Sequence, residues 1–297
     1  MPNSPITTYG GQAVIEGVMI RGQKFYSLSV RRPDGSITTD VEPISSHFIG
    51  TLRKVPFLRG ILVLAETLTI GVKALHKSSL LATETDELSE STISNIALIG
   101  TIAISLMIGI GIFFIFPAVA LESVDSFINS ELISNILEGI LRLAVLVAYV
   151  SIIGIFPDIQ RVYQYHGAEH MSIHALEHGK PLTVDAVRAF PTPHPRCGTA
   201  FLLTVMVVSI LVFAAIGDSG FISRIISRIL LIPVIAAISY EIIRFAGTHP
   251  NSIVSSIVSS PGLLLQKITT KSPDDSQIEV AISAVQAVIQ ADSSSNS

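Results

Sequence analysis

Between Ile96 and Phe116 the chain contains no charged residue. A helix of that length rises about 30 Å, the thickness of a bilayer's hydrocarbon core. Such a run leaves few folds open to the chain. Three further apolar runs follow, at Gly139 to Phe156, Thr199 to Ile216 and Ile229 to Ala246. Arg142 stands near one end of the second, where it can snorkel, and Pro233, Glu241 and Arg244 stand inside the fourth. Composition agrees: hydrophobic residues make up 49% and charged residues only 14%, and the mean hydropathy is +0.61. The expectation is a mainly α-helical polytopic membrane protein with about four transmembrane helices.

Orientation follows from Lys and Arg. The region before the first span carries nine of them, whereas Leu121 to Glu138 carries none, only acids. Both termini and the segment between spans two and three are therefore predicted to be cytoplasmic, in a multi-pass protein of the plasma membrane. Arg224 and Arg228 then fall near the outer face, against the trend. The N-terminus lacks the basic-then-apolar pattern of a cleaved signal peptide. A net charge of −4 argues against a nucleic-acid-binding surface, and the single cysteine, Cys197, excludes an intramolecular disulfide framework. There is no internal repeat, no glycine-rich phosphate or dinucleotide loop, and no nucleophile elbow.

In order along the chain, residues 1–55 read as a small β-rich cytoplasmic unit. Ala13 to Ile20 is apolar apart from Glu16, and Pro33-Asp34-Gly35 is a hairpin-type turn between Phe25–Arg31 and Ile37–Val41. Tyr26, Leu28 and Val30 alternate with Ser27, Ser29 and Arg31, the pattern of a half-buried strand. Glu16, Arg21 and His47 are candidates to face the centre of the chain; alternatively, Arg21, Arg31 and Arg32 form a solvated basic edge. Residues 56–95 comprise an interfacial helix, Pro56 to His76, with Arg59, Glu66 and Lys73 on one face, and an acidic linker. Residues 96–157 hold the first two spans, 158–198 a His/Cys-rich stretch, and 199–247 the last two spans. Residues 248–297 hold peripheral helices at Pro261–Thr269 and Gln277–Ala291, then a disordered serine-rich tail. Ile278, Ile282, Val285 and Ile289 give the last helix an apolar docking face.

The chemistry concentrates in residues 158–198, which hold five of the eight histidines. His166, His170, His174 and His178 recur every fourth residue, a drift of only about 40° per step on a helix. Gly179 and Pro181 stop that helix, and Gly167 weakens it locally. His166-Gly167-Ala168-Glu169-His170 is an H-x-x-E-H pattern, in which two imidazoles grip one metal ion and Glu169 is free as a general base. Opposite it, Pro191, Pro193 and Pro195 stiffen a loop carrying His194 and Cys197. Glu177 shares the histidine face as a ligand or a ligand's partner. His178 lies outside the site, at the helix end. Histidines at a membrane surface also serve as plain interface residues.

The segments GGQAVIEGVMIRG (Gly10 to Gly22), SVRRPDGSI (Ser29 to Ile37), YHGAEHMSIHALEHG (Tyr165 to Gly179) and HPRCGTAFLL (His194 to Leu203) resemble the YqhQ family. The resemblance runs from about Gly10 to about Gly262. It implies a bacterial membrane protein of unknown function, of a family described as predicted metal-dependent enzymes.

Two functions fit. One is a metal-dependent hydrolase, with His166 and His170 on a divalent ion, zinc foremost, and the third ligand drawn from His174, His194, Cys197 or Glu241. Glu169 would take a proton from water activated by the ion, and Arg196 would stabilise a developing oxyanion. Glu241 has an alternative partner in Arg244, one turn away. The other function is a non-catalytic, metal-stabilised scaffold or regulator of other membrane proteins, with His166, His170, His194 and Cys197 closing a structural site. The lipid bilayer is the expected partner; nothing in the sequence sets the oligomeric state.

Overall fold

The computed structural model describes residues 9–45, 55–83, 93–125, 128, 130–216, 221–249 and 252–295. His47 and most of the acidic linker lie outside the described residues. The helices, in chain order, are α1 (Leu58–Thr83), α2 (Ile93–Ile110), α3 (Phe116–Asp125), α4 (Glu131–Ile153), α5 (Pro157–Glu177), α6 (Val184–Arg188), α7 (Gly198–Ile216), α8 (Phe221–Leu230), α9 (Ile232–Thr248), α10 (Ile253–Thr269) and α11 (Asp275–Ser294). A π-helical turn, Gly111–Ile115, joins α2 to α3.

The N-terminal unit is an antiparallel meander of β1 (Gly10–Val14), β2 (Gly17–Arg21), β3 (Phe25–Arg31) and β4 (Ile37–Pro43), paired in that order. The apolar stretch Ala13 to Ile20 is two strands, because the chain reverses at Ile15-Glu16 with Glu16 at φ 49°. The Pro33-Asp34-Gly35 turn forms as expected. Gly35 takes φ 86°, and the Asp34 carboxylate accepts the Ser36 N–H at 2.8 Å.

Both faces of this sheet are covered, which corrects the half-buried strand. Met19, Tyr26, Leu28 and Val30 pack on Ile70, Ala74 and Leu81 of α1. The serine face is buried against α11: Ser27 donates to the Ala284 carbonyl at 2.7 Å, and Ser29, Thr39 and Ser283 share hydroxyl contacts of 2.7 and 2.8 Å. Small side chains let the helix approach closely, and their hydroxyls find partners on it. Asp274 and Gln277 form a capping box at the start of α11, whose Ile278, Ile282 and Val285 are buried against β2 and α5. The tail read as disordered extends this helix to Ser294. Within it, buried Asp292 accepts the N–H groups of Gln23 and Lys24 at 2.7 and 2.9 Å.

Among the described residues, three helices are long and apolar enough to cross a membrane: Gly100–Glu122, Leu132–Ile153 and Gly198–Ile216. A fourth crossing arises if α8 and α9, bent by 46° at Leu231, count as one span. The fourth apolar run is thus not one straight helix. Pro233 lies in the first turn of α9, where a missing N–H is tolerated. The second run also departs from expectation, since α4 ends at Ile153 and α5 starts afresh with Pro157.

Arg142 does not snorkel. It is 1% exposed, between Glu138 of its own helix, the Ser209 hydroxyl (3.2 Å) and the Phe113 carbonyl in the π turn (2.9 Å). Arg228 reaches the same carboxylate at 3.0 Å and Asn135 at 2.7 Å, and Arg224 pairs with Glu122 at 3.3 Å. The arginines that ran against the charge trend are therefore paired inside the bundle.

Candidate metal centre

Helix α5 opens with Pro157 at its first position and Asp158 in its first turn, both favoured there. One side, with Tyr165, Ala168, Met171, Ile173 and Ala175, is buried against the sheet and α11. The other carries the histidines beneath the Thr192–Cys197 loop and the end of α10. Gly167 has a definite reason to be glycine. A Cβ there would stand 2.2 Å from the Lys271 carbonyl, in the strand of chain leaving α10. That crossing is pinned by Lys271 N–H on the Tyr163 carbonyl at 2.9 Å.

Backbone carbonyls fix the imidazoles. His166 Nδ1 lies 2.9 Å from the Thr269 carbonyl and His170 Nδ1 2.6 Å from that of Thr192. A carbonyl only accepts, so both Nδ1 atoms carry protons, and in the neutral ring the lone pair is then on Nε2. Metal-ligating histidines are oriented in this way. His166 Nε2 is 3.2 Å from Cys197 Sγ, and one ligand atom each from His166, His170 and Cys197 lie within 4.8 Å of one another. The Thr199 N–H and hydroxyl point at the sulfur, at 3.4 and 3.3 Å.

His174, Glu177 and His194 form a second group within 4.8 Å, of different character. His174 Nε2 donates to the Pro193 carbonyl at 2.9 Å. His194 Nδ1 accepts the Arg196 N–H at 3.2 Å, which leaves its Nε2–H to face Glu177 at 3.4 Å. Arg196 pairs with the same carboxylate. Glu177 is thus already neutralised, and both nitrogens of His194 are in use. The fully buried Gln266 locks the His194 backbone, accepting its N–H at 2.7 Å and donating to its carbonyl at 3.0 Å.

Glu169 Oε1 accepts the Gly11 N–H at 3.0 Å, whereas Oε2 is buried without a partner. Burial drives its pKa up to about 8; His166 opposes this and Cys197 adds to it. Burial likewise pushes His170 down to about 2 and His194 to about 4, keeping both neutral, the state a metal needs. It raises the Cys197 thiol, against the pull of Thr199. A cleft of about 360 Å³ between β1, α1 and the loop is lined by Gly10, Gly11, Arg21, Glu66, Thr67 and Arg196. It reaches the amide that holds Glu169.

The fold thus brings His166, His170, Cys197 and Glu169 together, with His174, Glu177, His194 and Arg196 beside them. It places Glu241 elsewhere, on Arg59 of α1 and on the Phe57 N–H at 3.0 Å, and not with Arg244. His178 is exposed and bonds the His174 carbonyl, and His249 stacks on Phe245. Glu16 faces the start of α5, on Arg161 and Tyr165, while Arg21 joins Glu66 at 2.7 Å in the cleft. The supports Gly11, Gln266 and Thr269 carry no spacing signal; only the paired glycines Gly10-Gly11 hinted at a close backbone approach.

A model of the family described as "Protein of unknown function (DUF1385)" matches residues 55–291. The uncharacterized protein YqhQ of Bacillus subtilis (strain 168) is 34% identical over 285 residues, which cover 92% of this chain and 90% of that protein. No solved structure matches. The chain belongs to the DUF1385 family, the family of YqhQ.

Proposed function

We propose that this chain is a multi-pass membrane protein that holds a divalent metal ion, zinc foremost, at the cytoplasmic boundary and hydrolyses a membrane-proximal substrate there. One observation carries the reading. One ligand atom each from His166, His170 and Cys197 lie within 4.8 Å of one another, both rings held through Nδ1 by backbone carbonyls, and Glu169 on the same helix has a buried oxygen that lacks a partner. The donor set suits zinc, and three protein ligands leave a fourth position open. An ion held there would supply Lewis acidity towards an oxygen of water or substrate. The charge of such an ion would draw the raised Glu169 pKa down and ionise the carboxyl, so that Glu169 would act as the base, with the Gly11 amide holding Oε1 and Oε2 free to receive the proton. Arg196, anchored by Glu177 at the wall of the cleft, offers its guanidinium to a developing oxyanion. The asymmetry in Lys and Arg puts both termini on the cytoplasmic side of the plasma membrane.

The test uses purified protein and generic ester, phosphodiester and peptide probes. The zinc-loaded wild type turns over one class. Glu169→Gln keeps its metal and loses roughly a hundredfold or more in rate. A metal-replete Glu169→Gln variant with wild-type turnover overturns the mechanism.

One feature favours the non-catalytic alternative, a metal-stabilised scaffold or regulator of other membrane proteins. The site joins three separate segments, α5, the Thr192–Cys197 loop and the end of α10. On that reading metal removal lowers the unfolding temperature, and no probe is turned over by any variant.

A further inference from the structure

Glu241, a candidate ligand by sequence, instead marks a second cavity of about 450 Å³, where α1, α9 and α10 meet. Arg59, Glu241, Arg244 and Thr248 line it together with Ile242, Phe245 and Val254. Arg59 is paired with Glu241, so those two charges cancel. Among the described residues the Arg244 guanidinium makes no hydrogen bond or ion pair, and its charge acts on Glu241 only through space; the Arg244 carbonyl accepts the Thr248 hydroxyl at 3.1 Å. The cavity therefore carries one uncompensated positive charge beside an apolar wall.

Its level in the fold is set by packing. α8 stands between α7 and α9 in the chain, and α9 packs on α7 through one apolar cluster that holds Ile235, Ile238 and Ile242 with Val205 and Val208. Thr248 closes α9, and α10, which comes next, sets Gly262 against Ala200 in the first turn of α7, just after Cys197. The surroundings are apolar and uncovered: Phe57 is 54% exposed, Phe245 48%, Ile253 79% and Ile257 67%. That belt fits the depth at which acyl chains give way to headgroups.

We propose that this cavity binds the phosphodiester of an anionic phospholipid, with Arg244 on the phosphate and Ile242, Phe245 and Val254 along the first acyl carbons. A single guanidinium matches the single charge of a phosphodiester and donates to two of its oxygens. Arg59 stays on Glu241 and gives the site its rigid wall. The site is independent of the metal centre, and neither Arg244 nor Thr248 touches a candidate ligand.

The test is native mass spectrometry of delipidated protein titrated with dioleoylphosphatidylglycerol. The wild type takes up one lipid saturably, and Arg244→Gln binds it roughly tenfold more weakly. Arg32→Gln, an equal charge change on an exposed turn, leaves binding unchanged. Equal binding by wild type and Arg244→Gln, or an equal loss in Arg32→Gln, overturns the proposal. Displacement of the lipid by millimolar inorganic phosphate overturns the lipid assignment and makes the cavity a soluble-phosphate site.

Discussion

The bundle and the α5 site both bury ionisable side chains, and they treat them in opposite ways. In the bundle, Glu138 binds two arginines that are 1% and 2% exposed, and Asn135, Ser209 and the Phe113 carbonyl take up further donors. Phe213 lies under both guanidiniums, at 5.2 and 4.1 Å. At α5 the polar groups are left facing one another instead. One ligand atom each from His166, His170 and Cys197 lie within 4.8 Å of one another, and Glu169 Oε2 on the same helix is buried without a partner. Leaving a buried polar atom unpaired costs about 1–3 kcal/mol, so a site that accepts that cost invites something to fill it. Satisfied burial builds the bundle, whereas the partnerless Glu169 Oε2 is the feature on which the proposed ion rests.

The largest effect that can break this contrast is the removal of Glu138. Glu138→Ala leaves two guanidiniums unpaired among apolar side chains and is expected to cost about 3–5 kcal/mol. Denaturant unfolding in detergent measures it; a loss under 1 kcal/mol would mean that the arginines reach water or lipid phosphate. Next comes metal removal. With free zinc near 100 times its dissociation constant, chelation should cost the wild type about 2.7 kcal/mol and His170→Ala almost nothing. Equal shifts in both proteins would place the metal elsewhere.

Gly167→Ala sharpens the picture of how the site is assembled. The added methyl group meets the Lys271 carbonyl at 2.2 Å, so the chain beyond α10 must move, at a cost of about 1–3 kcal/mol. The Thr269 carbonyl moves with it and frees the His166 ring, so metal affinity falls as well. Unchanged affinity would show that this carbonyl does not orient His166. The smallest effect concerns α11, which ties the sheet to α5. Asp274→Ala removes its cap and costs about 1 kcal/mol by thermal unfolding. Burial pulls the Asp274 pKa up, but bonds from Ser276 and the Gln277 N–H outweigh it and hold it below the usual range. The wild-type advantage is therefore full above about pH 4 and is lost below it, and the variant lacks that pH dependence.

Much of this was legible in the sequence, because it rests on local rules. A charge-free run long enough to span a bilayer has few alternatives, and a four-residue histidine repeat has to share a helix face. The partners of each face were not legible. Ile278, Ile282 and Val285 announced an apolar stripe without saying that β2 and α5 cover it. Ser27 and Ser29 looked solvated because a close helix contact and water favour the same small polar residues. Arg142 looked like an end residue, since the carboxylate of Glu138 and the arginine of a later helix meet it only after folding. Glu241 drew attention as a lone acid in an apolar run, yet its partner, Arg59, lies 182 residues away in sequence. Gly167 read as a weak point and is instead the place where another segment crosses.

The most direct test of the metal centre is cobalt substitution of the purified full-length protein, read by its thiolate-to-cobalt charge-transfer band. The wild type should bind one cobalt ion and show the band. Cys197→Ser should lose the band, His170→Ala should lose the ion, and His174→Ala should retain both. A wild type that binds no cobalt, or a band that survives Cys197→Ser, would contradict the assignment of His166, His170 and Cys197 as the ligands.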